Sequence, residues 1–337
     1  MTNAAPMLWS NILINMAKQE STVEIAGRQI KLSNLEKVLY PKAGFTKGQV
    51  VDYMVRIAPV LLPHLAGRPL TLKRYPEGVE GIFFYEKNCP KHKPDWVKTA
   101  KVWSEGNNRF MYYCVVDELP TLVWLANLAD LELHTSLAVA PEIHQPTVIA
   151  FDLDPGPPAS IVQCCQVGLW VRDIFAQFSL QAFPKTSGSK GLQIYVPLNT
   201  PVTYDQTKAF AKGVARLLES RHPSQVVSDM KKALRAKEQP TVSTPLTWKE
   251  VETCFKKGDP ELLVFTSDQV LERVEKMGDL FEPVIKLKQK LPPIEALEEI
   301  AADVMPKATS TKTAKVQSIS SVAKPRKSTQ RRPAKKA

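Results

Sequence analysis

No apolar run in this chain approaches the roughly 18–20 residues that a membrane-spanning helix needs, so no membrane association is expected. The first residues are mildly apolar but lack a basic stretch and an Ala-x-Ala site, which argues against a secretory signal. Met16 reads as an equally good start, and residues 1–20 as an extension outside the domain. Cysteine is scarce: Cys89, Cys114, Cys164, Cys165 and Cys254 are odd in number and scattered. They show neither zinc spacing nor a disulfide framework, and a reduced cytosolic protein with inert thiols is expected. No internal repeat is evident. Acidic residues are missing from the end of the chain, where residues 306–337 hold ten Lys or Arg and no Asp or Glu.

That last absence places the charge. The net +11 is concentrated in the tail, which leaves about +1 for everything before it. The basic balance therefore does not describe the surface of the body. Residues 301–337, rich in Lys, Ser, Thr, Pro and Ala, read as a disordered basic tail, suited to contacting nucleic-acid phosphates without sequence preference.

The remainder reads as alternating strands and helices, a mixed α/β (α+β) arrangement with one domain over residues 21–300. Residues 21–32 alternate as a hairpin, and Ser33 reads as the cap of a short helical turn. Residues 46–62 have helical spacing behind a Thr46 cap. Strands are expected at 70–75, 81–85 and within 97–113, helices at 118–130, 159–178 and 204–220, and further helical pieces at 246–251 and 271–277.

Two segments carry chemistry. Residues 147–153 read as a strand bearing Asp152, with Asp154 just beyond. A strand repeats every two residues, so both carboxylates share a face. Two carboxylates that close repel each other and gain most by sharing divalent cations. Thr186-Ser187-Gly-Ser-Lys190-Gly is a glycine-rich turn that offers N–H groups and a cation to a phosphate. Acids for metal plus a phosphate cradle suggest nucleotidyl transfer. Taken alone, each segment has other readings. An Asp-x-Asp also occurs in Ca²⁺ loops and on phosphatase strands, although the latter favour Thr or Val where Gly156 stands. The turn alone could be a plain hairpin loop, His134 a satisfied half-buried histidine, and Lys37 and Lys47 surface lysines.

Several further runs, in order, narrow the choice. They are Leu-Ser-Asn-Leu-Glu-Lys37-Val-Leu-Tyr-Pro-Lys-Ala-Gly-Phe-Thr-Lys47, Ala66-Gly-Arg-Pro-Leu-Thr-Leu-Lys73-Arg74, Phe83-Phe-Tyr-Glu-Lys87-Asn, Leu131-Glu-Leu-His134 and Ser243-Thr-Pro-Leu-Thr-Trp. Together with the acid strand and the glycine turn they resemble the polymerase domain of bacterial DNA ligase D, a branch of the archaeo-eukaryotic primase superfamily. The resemblance implies a primase-polymerase fold, with an RRM-like catalytic sheet joined to an N-terminal α/β module. It implies a cytoplasmic, nucleoid-associated bacterial protein of non-homologous end joining. Such an enzyme adds nucleotides, preferentially ribonucleotides, to a primer 3′-hydroxyl at 5′-phosphorylated gaps or breaks. It uses two Mn²⁺ or Mg²⁺ ions and works with a Ku protein and, here, a separate ATP-dependent ligase.

By the same resemblance, Asp152 and Asp154 hold metal, Lys73, His134, Ser187, Lys190 and Arg235 contact the nucleotide, Lys37 and Lys47 grip the DNA 5′-phosphate, and Phe84 and Tyr85 stack on a template base. Gln193 stands where the family usually has His, so charge neutralisation is not expected there. The largest departure follows Arg235. About two dozen residues expected in relatives, with a third catalytic Asp and two strands, have no counterpart before Ala236-Lys-Glu-Gln-Pro-Thr-Val. Weak or absent polymerase activity is expected, or alternatively a DNA-end-binding module without catalysis.

Overall fold

A computed structural model describes residues 20–222 and 240–304. The first strands, β1 (Glu20–Ile25) and β2 (Arg28–Ser33), form the expected hairpin, with Val23 opposite Ile30. Ala26 and Gly27, both at positive φ, make its two-residue turn. The helical turn expected after Ser33 does not form. The Ser33 N–H is taken by Asn127 Oδ1 at 3.0 Å, Asn34 turns the chain at φ 52°, and residues continue as β3 (Val38–Tyr40), paired with β4 (Phe45–Thr46). A serine that ends a strand has no helix to cap. Thr46 does cap one: its hydroxyl accepts the Gln49 N–H while the Gln49 side chain accepts the Thr46 N–H, opening α1 (Lys47–Leu65).

The apolar face of α1, with Val50, Val51 and Ile57, packs beside α2 (Leu119–Asn127) in a first core. The adjoining sheet is antiparallel. Strand β5 (Leu70–Arg74) has β9 (Asp130–Thr135) on one edge, and β6 (Phe84–Glu86) followed by β8 (Arg109–Cys114) on the other. Strand β7 (Thr99–Ser104) pairs with β8 along its length.

A second core lies under a three-stranded antiparallel sheet of order β10–β12–β11, built from β10 (Val148–Leu153), β11 (Phe183–Thr186) and β12 (Leu192–Pro197). Ile149, Phe151 and Leu153 face the helices α3 (Ile161–Gln177) and α4 (Tyr204–Arg221), which leaves the even-numbered residues of β10 for the opposite face. After residue 240 come α5 (Trp248–Lys257), α6 (Ser267–Met277), α7 (Glu282–Lys286) and α8 (Glu295–Val304). The short α7 and α8 were not expected from the sequence, and α8 takes in the first four residues assigned to the tail. The remaining tail, Arg235 and all of the N-terminal extension but Glu20, which opens β1, lie outside the described residues.

The cysteine expectation is corrected. Cys89 and Cys114 form a disulfide with Cα atoms 4.9 Å apart, tying the segment after β6 to the end of β8. The segment already lies against β8, where the Cys89 N–H donates to the Tyr112 carbonyl, so fold topology brings together two cysteines 25 residues apart. Cys164, Cys165 and Cys254 are buried free thiols, and burial pushes the Cys164 thiol up to about 12. Among the described residues no helix is long and apolar enough to cross a membrane.

Candidate active site

Asp152 sits on the face of β10 turned away from the helices. Asp152 lies directly across from Gln193 on β12, and Gln193 lies across from Lys185 on β11. The Gln193 side-chain amide donates to Asp152 Oδ1 at 3.2 Å. Asp154 stands just past the strand. Burial, and secondly the negative charge of Asp152, raise its carboxyl above the usual range.

The glycine turn closes against these acids. Ser187 Oγ accepts the N–H groups of Ser189 (3.3 Å) and Gly191 (3.0 Å), so its lone pairs organise the turn itself. Gly191 has no substitute here: a Cβ on it would sit 2.6 Å from Asp154 Oδ1 and 2.8 Å from the Leu153 carbonyl. Residues 241–244 strap the turn from outside. Thr241 Oγ1 donates to the Gly188 carbonyl at 2.7 Å, Ser243 Oγ to the Thr186 carbonyl at 2.6 Å, and the Thr244 N–H to Thr186 Oγ1 at 2.9 Å. Lys190 is exposed at the tip and has no ion-pair partner among the described residues.

The other sheet contributes a second cluster across the cleft. Lys73, Glu132 and Tyr85 share one face, since Lys73 is paired with both of the others across the strands. Lys73 is enclosed, its side chain 1% exposed. It donates to Glu132 Oε1 at 2.7 Å, and its ammonium lies 4.6–5.5 Å from the ring centroids of Tyr75, Phe83 and Tyr85. The Tyr75 hydroxyl also donates to Glu132. His134 Nε2 is 3.1 Å from the other Glu132 oxygen, and the imidazole meets the Tyr85 ring edge-on. Burial alone would raise the Glu132 carboxyl, but hydrogen bonds from His134, Lys73 and Tyr75 and the Lys73 charge hold it down at about 2. Lys73 is thus enclosed by Glu132 and the rings, whereas His134 lines the cleft.

Glu132, Phe83 and Lys185 were not singled out in the sequence. Glu132 was legible in principle, because it stands two residues before His134 on a strand and so shares its face. Phe84 and Tyr85 do not act as a same-sided pair. Successive strand residues point to opposite faces, and Phe84 lies under the Arg74 guanidinium while Tyr85 joins the cleft cluster with Phe83. Lys37 and Lys47 do come together. The Lys47 N–H donates to the Lys37 carbonyl, and Lys47 Nζ donates to the Asn127 carbonyl at 3.1 Å. Burial first, and then the Lys37 charge, lower the Lys47 ammonium to about 8. Lys37 reaches Glu77 at 3.1 Å.

A cleft of about 570 Å³ runs between the sheets, lined by Glu132, His134, Lys185, Ser187, Gln193 and Tyr195 among others. Among the described residues no group of three or more His, Cys, Asp or Glu is placed to hold a metal, so the acid pair has no third protein partner there.

The fold is shared with a solved polymerase domain. The polymerase domain from Mycobacterium tuberculosis ligase D, solved in complex with DNA, matches with a TM-score of 0.67 and 35% identity, over 77% of this chain and 99% of that one. The family model for the LigD primase-polymerase domain matches residues 46–238, and the chain belongs to that family. The multifunctional non-homologous end joining protein LigD of Mycolicibacterium smegmatis is 35% identical over 282 residues, 76% of this chain and 36% of that protein. The bifunctional LigD of Bacillus subtilis is 28% identical over 275 residues, 74% of this chain and 43% of that protein. The chain thus spans about two-fifths of the length of these curated relatives.

Proposed function

We propose that this chain is a nucleotidyltransferase directed to DNA ends. It adds nucleotides, with ribonucleotides preferred, to a primer 3′-hydroxyl at 5′-phosphorylated gaps or breaks during non-homologous end joining, at a low rate. The observation that carries this reading is Asp152 on the open face of β10 and Asp154 just past the strand end, with Gly191 of the glycine turn close against Asp154. Family membership and the relatives' names supply the end-joining context.

The donor set fits Mn²⁺ or Mg²⁺ in part. Two adjacent, mutually repelling carboxylates offer hard oxygen ligands, and such ions are commonly held by one or two carboxylates plus substrate phosphates. When bound, two such ions supply Lewis-acid stabilisation of the primer oxygen and the phosphoryl oxygens. The chain's own groups do the rest. Lys190 at the tip of the turn receives the triphosphate, as does His134 from the facing sheet. Lys37 and Lys47 hold the 5′-phosphate across the gap, and the ring of Tyr85 meets a base, a contact tolerant of sequence. A Ku protein and an ATP-dependent ligase on another chain complete the reaction, in the bacterial cytoplasm at the nucleoid.

The low rate follows from the missing third carboxylate. The alignment with the M. smegmatis protein runs over 282 residues while using 76% of this 337-residue chain, fewer residues than that span, which supports a relative with a segment lacking here. Losing one metal-binding carboxylate costs several kcal/mol at the transition state, at about 1.4 kcal/mol per tenfold in rate. The lack of a third ligand among the described residues also favours a second reading, a DNA-end-binding module without catalysis. One assay separates them: nucleotide addition to a primer facing a 5′-phosphorylated gap, with Mn²⁺ and ribonucleotides, beside Asp152→Ala. Slow addition that vanishes in the variant supports the enzyme. End binding with no addition supports the module, and robust addition refutes the missing-acid account.

A further inference from the structure

We infer that Gln193 is the positioning residue for Asp152, aiming one carboxylate oxygen into the site by occupying the other. The inference rests on the acid pair being the metal site proposed above.

Three features fix the amide. First, the pairing of β10 with β12 sets Gln193 directly opposite Asp152, and its Nε2 donates to Asp152 Oδ1 at 3.2 Å. Second, the other end of the same amide is held: the Tyr195 hydroxyl donates to Gln193 Oε1 at 3.4 Å. Ionised Asp can only accept, and a hydroxyl that donates to Oε1 leaves only the NH₂ end to face Asp152. The amide therefore has one good orientation. Third, Tyr195 is itself held. Two residues along on the same face of β12, its ring meets Phe281 edge-on at 5.3 Å, and the Lys185 ammonium lies 5.3 Å from the ring centroid. The order of support runs from Phe281 and Lys185 to Tyr195, then Gln193, then Asp152.

The same strand start serves both acids. Gly191 confines Asp154 by close approach, and Gln193, two residues on, orients Asp152 by a hydrogen bond. With only two carboxylates assembled among the described residues, the direction of each one matters more than in a fuller ligand set. Groups that orient a metal-binding side chain typically contribute 10–100-fold to metal affinity. Gln193 is uncharged at every pH, so it acts by direction alone.

The test is Mn²⁺ binding to the full chain without DNA or nucleotide, followed by the loss of the free-ion electron paramagnetic resonance signal. Wild type is compared with Asp152→Ala, Gln193→Leu and Tyr195→Phe. Thermal unfolding and binding to a 5′-phosphorylated DNA end are measured on the same samples. Asp152→Ala should abolish binding at the site. Gln193→Leu should weaken it about tenfold, and Tyr195→Phe should weaken it less, with DNA-end affinity unchanged in both. A merely structural role for Gln193 would lower the melting temperature and leave Mn²⁺ affinity alone. Binding lost in Asp152→Ala but intact in Gln193→Leu overturns the positioning role and leaves the metal site standing. Wild-type binding that is absent, or that survives Asp152→Ala, overturns the metal site and the inference together.

Discussion

Lys47 and Glu132 show how burial and its partners set charge at single residues. Lys47 opens α1 next to Lys37, and its ammonium is lowered from 10.5 to about 8. The folded chain therefore holds its proton less tightly than the unfolded one. The cost of burying the charge is fully present below pH 8 and is relieved between pH 8 and 10.5, so this residue makes stability rise with pH in that window. Binding has the opposite sign, since only the protonated form attracts a phosphate. The preference for 5′-phosphate over 5′-hydroxyl DNA ends should fall as pH rises from 7 to 9, and Lys47→Met should flatten the profile. Fluorescence anisotropy with the two ends measures both, and a preference constant with pH would count against Lys47. Glu132 is the reverse case, a carboxyl held at about 2 by His134, Lys73 and Tyr75 against the effect of burial. Its contribution is complete above 4.5 and is lost as pH falls toward 2. Glu132→Gln leaves Lys73 enclosed without a counter-charge and should cost roughly 3 kcal/mol in urea unfolding at pH 7. A change under 1 kcal/mol would mean that the aromatic rings alone hold the lysine.

Elements were legible where a local rule decided them. The Ala26-Gly27 hairpin and the Thr46 cap both follow from contacts within a few residues, and so does the strand that carries Asp152. The disulfide was not legible, because Cys89 and Cys114 meet only through the run of chain after β6 against β8. Ser33 misled for the same reason: it carries the residue type of a cap, but Asn127 from a distant helix claims its N–H. The candidate site divides likewise. The acids and the glycine turn announce themselves in sequence, whereas the Glu132 cluster exists only once β5 lies between β6 and β9. Gly191 joins these levels, being a turn residue whose missing side chain lets β12 begin against Asp154. Gly191→Ala cannot be absorbed by a flexible neighbour, since the Leu153 carbonyl is backbone. Overpacking of this kind costs typically 1–3 kcal/mol. The variant should lose Mn²⁺ binding while retaining DNA-end binding, read by the same resonance and anisotropy measurements. Retained Mn²⁺ affinity would show that Asp154 is not confined by the turn.

For the whole molecule, charge decides how DNA is held. The body carries about +1, and two of its phosphate candidates are already engaged, Lys37 with Glu77 and Lys73 with Glu132. On the proposed DNA-end reading, non-specific affinity is expected to come mainly from the ten basic residues of the tail. Each phosphate neutralised on duplex DNA adds about 0.9 to the slope of log affinity against log salt. Removing residues 305–337 should therefore reduce that slope by several units and weaken binding to any duplex at low salt. The preference for a 5′-phosphorylated end should remain, because Lys37 and Lys47 sit on the folded body. Titrations of the full and shortened chains on duplexes with and without the phosphate, at 50 to 200 mM salt, separate the two contributions. An unchanged slope would assign duplex affinity to the body despite its small net charge, and loss of the end preference would assign phosphate recognition to the tail.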